Sequence, residues 1–244
     1  MSAAIQNAIL ATYQRITIAT PTLVAAASTG QGATGSLTYD LTTAGLTGYQ
    51  DNDILFALIQ TGNETPPNTP TGYTYLTSYG IGTAAAIGSV ALHSAWKRVS
   101  GTEANPSFGD SGDHTFVKMF LVRGCRTSGA PVVNLNGAAS NTSEPLGVAV
   151  NNTTIDKNYV VYAVAHGQDV GGVFVTSWTD SALTGGTTII TANGTTLGNG
   201  GGIGAYAGEK TTAGSLGTPT IDLQNLTQPG NFVTASFAFI PLGA

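Results

Sequence analysis

The sequence predicts an all-β protein, an antiparallel β-sandwich preceded by an N-terminal arm. Three observations lead to this fold class. Apolar runs of strand length recur along the chain, clusters of glycine, proline and asparagine separate them, and the i, i+3, i+4, i+7 spacing of an amphipathic helix is nearly absent. Strands joined by turn-rich connections, with no helical pattern between them, are typical of a sandwich or a barrel.

The strand signal is clearest in the apolar run 54–59, whose composition is that of a strand buried on both faces. Residues 90–96 alternate more strongly between apolar and polar side chains, and 115–122 combine β-branched with aromatic residues. The glycine-rich run 198–204 is predicted to be a loop or a thin strand that neighbouring backbone approaches closely. The remaining predicted strands are 159–164, 172–178, 187–191 and 232–240.

Apolar strands continue at similar spacing to the end of the chain, so one core is predicted over residues 36–244. Residues 1–35 are predicted to be a separable arm that ends in the flexible stretch 28–35. Within the arm, residues 2–14 have a composition that supports a short helix. The apolar side chains that the arm offers for burial against a partner are Ile5, Ile9, Leu10, Ile16, Ile18, Leu23 and Val24.

Charge is scarce in this chain, and its balance is acidic. Only 9% of the residues are Asp, Glu, Lys or Arg, against about 25% in an ordinary soluble domain, and the formal net charge is −5. This balance argues against a surface that follows nucleic-acid phosphates. No apolar run approaches the roughly 20 residues of a membrane-spanning helix, so no membrane partner is expected. The single cysteine, Cys125, excludes an intramolecular disulfide.

Motifs with catalytic or cofactor associations have simpler explanations here. The GxGxxG match at 30–35 precedes a predicted strand, whereas dinucleotide binding requires a helix at that place. The sequence GDSG at 109–112 is explained by a β-turn, since no suitably placed histidine and aspartate accompany Ser111. His93, His114 and His166 are scattered singly, without metal-ligand spacing. We therefore expect no enzyme activity, no cofactor and no metal.

Three tyrosines, Tyr73, Tyr75 and Tyr79, lie in or near a loop rich in glycine and proline. Aromatic side chains in such loops are candidates for stacking on carbohydrate, whereas aromatic side chains on sandwich strands more often belong to the core. Both alternatives stay open from the sequence.

Several segments resemble a β-sandwich family of tailed-bacteriophage virion proteins and of bacterial proteins derived from prophages. The run DILFALI at 53–59 resembles the first strand of that family, with Asn52 where glycine is usual. The run PTGYTYL at 70–76 is similar to a conserved turn of the family, with Tyr73 in place of tryptophan. Further similarity lies in AWKR at 95–98, GTEANPSF at 101–108, FLVRG at 120–124, AYAGEK at 205–210 and FAFIP at 237–241.

The resemblance implies a jelly-roll-like fold and a structural role, and it implies no catalytic residues. Members of that family serve as capsid decoration proteins, head fibres and tail-fibre modules. We therefore expect a decoration (cement) protein on the outer surface of a phage head, a homotrimer that bridges subunits of the major capsid protein. The alternative is a tail-fibre or head-fibre module that binds host-surface glycans. The arm is the expected contact with the capsid, through strand addition to a neighbour.

Overall fold

The computed structural model describes residues 18–28, 30–62, 66–82, 88–110, 112–141, 146–196, 200–226 and 230–244. Within these ranges the chain forms strands and no helix, and every strand pairing is antiparallel. The strands are β1 Thr22–Ala26, β2 Gln31–Ala33, β3 Leu37–Thr38, β4 Ile54–Thr61, β5 Thr74–Ile81, β6 Val90–Arg98, β7 Ser107–Phe108, β8 Thr115–Arg123, β9 Val132–Ser140, β10 Leu146–Gly147, β11 Asn158–His166, β12 Val175–Thr179, β13 Thr184–Thr195, β14 Gly201–Lys210, β15 Thr220–Leu223 and β16 Phe232–Phe239.

The strands form three stacked sheets and one short additional pair. The first sheet has the order β1-β8-β4-β6-β5, and β2 also pairs with β8. The second sheet has the order β13-β14-β11-β16-β9, and the third has the order β10-β15-β12. The short pair joins β3 to β7. The all-β, antiparallel sandwich expected from the sequence is therefore confirmed, whereas the finer, jelly-roll-like connectivity stays a prediction.

Three apolar layers hold these sheets together, because strands buried on both faces present alternate side chains to opposite layers. The central layer lies between the first and second sheets and is rich in aromatic side chains. A second layer lies between the first sheet and a covering segment that runs from Leu37 to Leu46. A third layer lies between the second and third sheets.

Phe56 on β4 occupies the centre of the aromatic layer. Its ring centroid lies 5.1 Å from that of Phe120 in the same sheet. It lies 5.0 Å from Phe237 and 5.4 Å from Phe239, both on β16 of the second sheet. Offset and edge-on pairs of this kind stabilise a core beyond the area that they bury. The first and second halves of the chain therefore share one core.

The predicted strands are found where the apolar runs are continuous, and their ends differ by a few residues. All eight residues of β4 are buried, as the sequence of the run 54–59 predicts. The segment predicted over 172–178 forms β12 only from Val175, and the segment predicted over 187–191 is the centre of the longer β13. In the glycine-rich run, Gly201 to Gly204 belong to β14, so this part is a strand. The predicted short helix at 2–14 lies outside the described residues.

Candidate functional site

Two grooves flank the proline-rich segment 66–71, and each contains one of the predicted tyrosines. The segment ends in a turn in which the Tyr73 amide donates to the Pro70 carbonyl at 3.0 Å. Gly72 within this turn has φ +82°, a left-handed conformation that glycine adopts without steric cost. The turn therefore connects segment 66–71 to β5, and one groove lies on each side of this segment.

The first groove has a volume of about 350 Å³, within the range of small-molecule sites. Tyr73 forms its aromatic part, and Lys97, Asn68 and Asn105 contribute polar groups. The Lys97 ammonium forms an ion pair with Glu103, whose side chain is almost fully buried. Since that pair leaves little net charge, the groove is suited to a neutral, hydroxyl-rich ligand.

The second groove, of about 340 Å³, contains Tyr75 and is lined by Pro66, Pro67 and Thr69. The Tyr75 ring centroid lies 6.1 Å from that of His93 in β6. The Tyr75 hydroxyl is buried and has no hydrogen-bond partner among the described residues. Burial raises the pKa of Tyr75, so this hydroxyl stays protonated and remains a donor.

Tyr79 lies elsewhere, because a β-bulge between Tyr75 and Thr77 changes which face of β5 the later residues present. Its ring packs against Gly137 of β9 in the space between the first and second sheets. Its hydroxyl lies 2.6 Å from the side-chain amide of Asn134. The structure thus brings Tyr73 and Tyr75 to the two grooves beside one segment, whereas it packs the partly buried Tyr79 against the central layer.

The described part of the arm belongs to the first sheet. β1 and β2 both pair with β8, along the side of β8 opposite to β4. Leu23 packs in the central layer, and Val24 packs in the layer beneath the covering segment. Ile18 is half-buried, whereas Ile5, Ile9, Leu10 and Ile16 lie outside the described residues.

The point where the arm joins the sandwich is held by polar contacts. The Thr20 hydroxyl and the Lys157 ammonium both hydrogen-bond to Glu209 on β14, and these bonds lower the pKa of the Glu209 carboxyl. A cavity of about 220 Å³ adjoins Pro21, Leu23 and Tyr159 at this place. Thr20 is therefore held at one edge of the first sheet, next to β14.

Two residues that carry the phage resemblance have structural roles. Asn52 has φ +71°, a left-handed conformation that glycine favours and asparagine tolerates, and this explains how asparagine can stand where glycine is usual. The buried Asp53 carboxylate accepts hydrogen bonds from Arg123 Nε at 2.8 Å and from Arg123 Nη2 at 2.7 Å. Neither residue points to catalytic chemistry.

The three histidines are buried and lie apart from the grooves' open space. Burial lowers the pKa of His93 to about 4 and that of His166 to about 3, so both rings are neutral at pH 7. His93 is held between Thr61 and Ser78, and His114 between Asp113 and Gln60. In the part of the chain that the structure describes, no group of three His, Cys, Asp or Glu side chains is placed to hold a metal ion.

No helix among the described residues is long and apolar enough to span a membrane. In comparisons with known proteins, no family model, no curated protein and no solved structure matches this chain.

Sequence reasoning singled out Tyr73 and Tyr75, which line the grooves, but it did not identify the polar side chains beside them. Asn68 and Asn105 are far apart in the sequence. They line the same groove because β6 pairs antiparallel with β5, which brings the segment after β6 next to the segment before β5. The sequence also gave no indication of a buried amine: Lys118 lies in an apolar strand, and its partner is 75 residues further along the chain.

Proposed function

We propose that this chain is a structural protein of a tailed-phage virion, and specifically a decoration protein on the outer surface of the head. It would act as a homotrimer that bridges subunits of the major capsid protein. The observation that carries the proposal is the contrast between a closed, polar body and an apolar arm. Among the described residues, Val173 and Leu242 are the large apolar side chains exposed on the surface.

The body itself offers no broad apolar patch in its described part, so apolar association has to use another segment. Ile5, Ile9, Leu10 and Ile16 supply it in the sequence, and the chain enters the body at the position fixed by Thr20 and Glu209. An arm held at this position would bind a neighbouring capsid subunit only when the shell is assembled. Because the protein would then bind the assembled shell and not the free subunits, its binding would stabilise the assembled shell by mass action.

The scarcity of charge also supports assembly, since charged side chains are depleted at the cores of protein interfaces. The test is the number of copies of this protein in purified virions, counted against the major capsid protein.

The grooves beside segment 66–71 favour a second candidate, a tail-fibre or head-fibre module that binds host glycans. Each groove combines one tyrosine with side-chain amides or hydroxyls and little net charge, as binding of a sugar requires. Under this alternative the grooves are the ligand site and the arm is the attachment to the fibre.

Replacing the exposed Asn68 with alanine is expected to weaken glycan binding about tenfold, because one hydrogen bond to the ligand is lost. The measurement is a glycan array with the full-length chain, followed by titration of any glycan that binds. Asn152→Ala, at an exposed site outside the grooves, is the matched control and should leave the affinity unchanged. Equal affinity of wild type and Asn68→Ala, or the absence of any bound glycan, would contradict the second candidate.

A further inference from the structure

The amine of Lys118 is buried between the first and second sheets in contact with a side-chain amide. The side chain lies on β8 and is fully enclosed. Its Nζ donates to the Thr191 carbonyl at 2.6 Å and also to Asn193 Oδ1, both on β13. The contact therefore joins two strands that belong to different sheets.

Among the described residues, no opposite charge accompanies Lys118 in this position. None of the ion pairs among the described residues includes it, and the centroid of the Phe116 ring lies 5.9 Å from Nζ. An ammonium buried without a counter-charge is strongly unfavourable, whereas a neutral amine or an amide is not. Burial accordingly lowers the pKa of Lys118 to about 7, which favours the unprotonated, nucleophilic amine far more than an exposed lysine does.

We propose that Lys118 and Asn193 become joined by an intramolecular isopeptide bond between the first and second sheets. The hydrogen bond to Asn193 Oδ1 places the amine beside the amide carbon, which is one bond further on, so that a small rotation of the Asn193 side chain brings the two reacting atoms to the roughly 3–3.5 Å of a near-attack geometry. The Thr191 carbonyl holds the amine in that position. Formation of the amide removes the buried charge altogether.

The reaction is balanced without any further reagent. Nζ of the neutral Lys118 amine attacks Cγ of Asn193 and forms the Nζ–Cγ bond. The Cγ–Nδ2 bond breaks, one proton passes from Nζ to Nδ2, and Nδ2 leaves as ammonia. Nothing is oxidised or reduced.

The test is the intact mass of the purified full-length chain. The expected result is a mass lower than that of the sequence by one ammonia. A tryptic digest should then contain a branched peptide that joins the segments around Lys118 and Asn193. Lys118→Met and Asn193→Ala should both restore the full mass calculated for their sequences. Lys97→Met, on the same sheet but in a partly exposed ion pair with Glu103, is the matched control and should keep the loss of ammonia.

Asn193 is followed by Gly194, and ring closure onto the Gly194 amide to form a succinimide would also release ammonia. Hydroxylamine cleaves the chain at a succinimide and leaves an isopeptide bond intact. An unmodified wild-type mass would overturn the proposal. It would equally be overturned by loss of ammonia without a branched peptide, or by a loss that persists in Lys118→Met.

Discussion

Phe56→Ala is expected to destabilise the whole protein by about 4 kcal/mol, the usual cost of removing a fully buried phenylalanine. For a chain of this size that loss corresponds to a decrease in Tm of about 10 °C. The effect is large because the Phe56 ring packs against Phe120 of its own sheet and against Phe237 and Phe239 of the second sheet. Its removal leaves a cavity that both sheets line.

Two tryptophans allow the unfolding of the two halves to be followed separately. Trp96 lies on β6 of the first sheet, and Trp178 lies on β12 of the third sheet. Variants that keep one tryptophan at a time should show the same transition in thermal unfolding, and Phe56→Ala should shift both equally. Val173→Ala, at an exposed site, should change the stability by less than about 0.5 kcal/mol. Two separate transitions, of which only one shifts, would contradict a shared core.

Removal of residues 2–17 is expected to abolish binding to phage heads and to leave the sandwich folded. Four apolar side chains are lost with this segment: Ile5, Ile9, Leu10 and Ile16. If each contributes about 1.5 kcal/mol on burial against the capsid, their combined loss of about 6 kcal/mol weakens binding by about 20,000-fold. The deletion ends before residue 18 because β1 pairs with β8 and Leu23 packs in the central layer. A longer deletion would remove a strand of the sandwich.

The measurement is co-sedimentation of the truncated and full-length proteins with heads that lack this protein. Circular dichroism and Tm should be the same for the two. A full-length variant with serine at those four positions separates the loss of apolar side chains from the loss of chain length, and it should bind as weakly as the truncated form. Undiminished binding of either variant would show that the arm does not hold the capsid.

The sequence predicted strands well where burial on both faces makes every residue apolar, as in β4. It missed β9, whose sequence VVNLNGAAS contains small and polar residues and is only half-buried. The sequence could not decide whether the start of β14 is a loop or a strand, because its glycines are required by contacts with residues that are distant in the chain. A Cβ at Gly201 would lie 2.2 Å from the Gln60 side chain, so only glycine fits there.

Local sequence identifies only part of the two grooves, for the same physical reason. Tyr73 and Tyr75 lie close to a proline-rich turn that local sequence identifies, and both line grooves beside it. Tyr79 has the same local context but packs against the central layer, because the bulge in β5 turns the residues after it to the opposite face of the strand. Contacts between segments far apart in the chain, such as that of Lys118 with Asn193, depend on strand order, which no local pattern specifies.

An isopeptide bond between those two residues would suit a protein that is held under load in a shell. It would close a loop of 75 residues, and by analogy with disulfides this stabilises the folded state by about 4 kcal/mol.

The most direct test of the structural role is the copy number of this protein in purified virions, measured by quantitative mass spectrometry against the major capsid protein. A decoration protein is expected at a ratio that approaches one copy per capsid subunit. A ratio of a few copies per hundred subunits would contradict decoration and favour a tail or fibre location, with the grooves as the proposed glycan site. Absence from the particle would contradict both proposed functions.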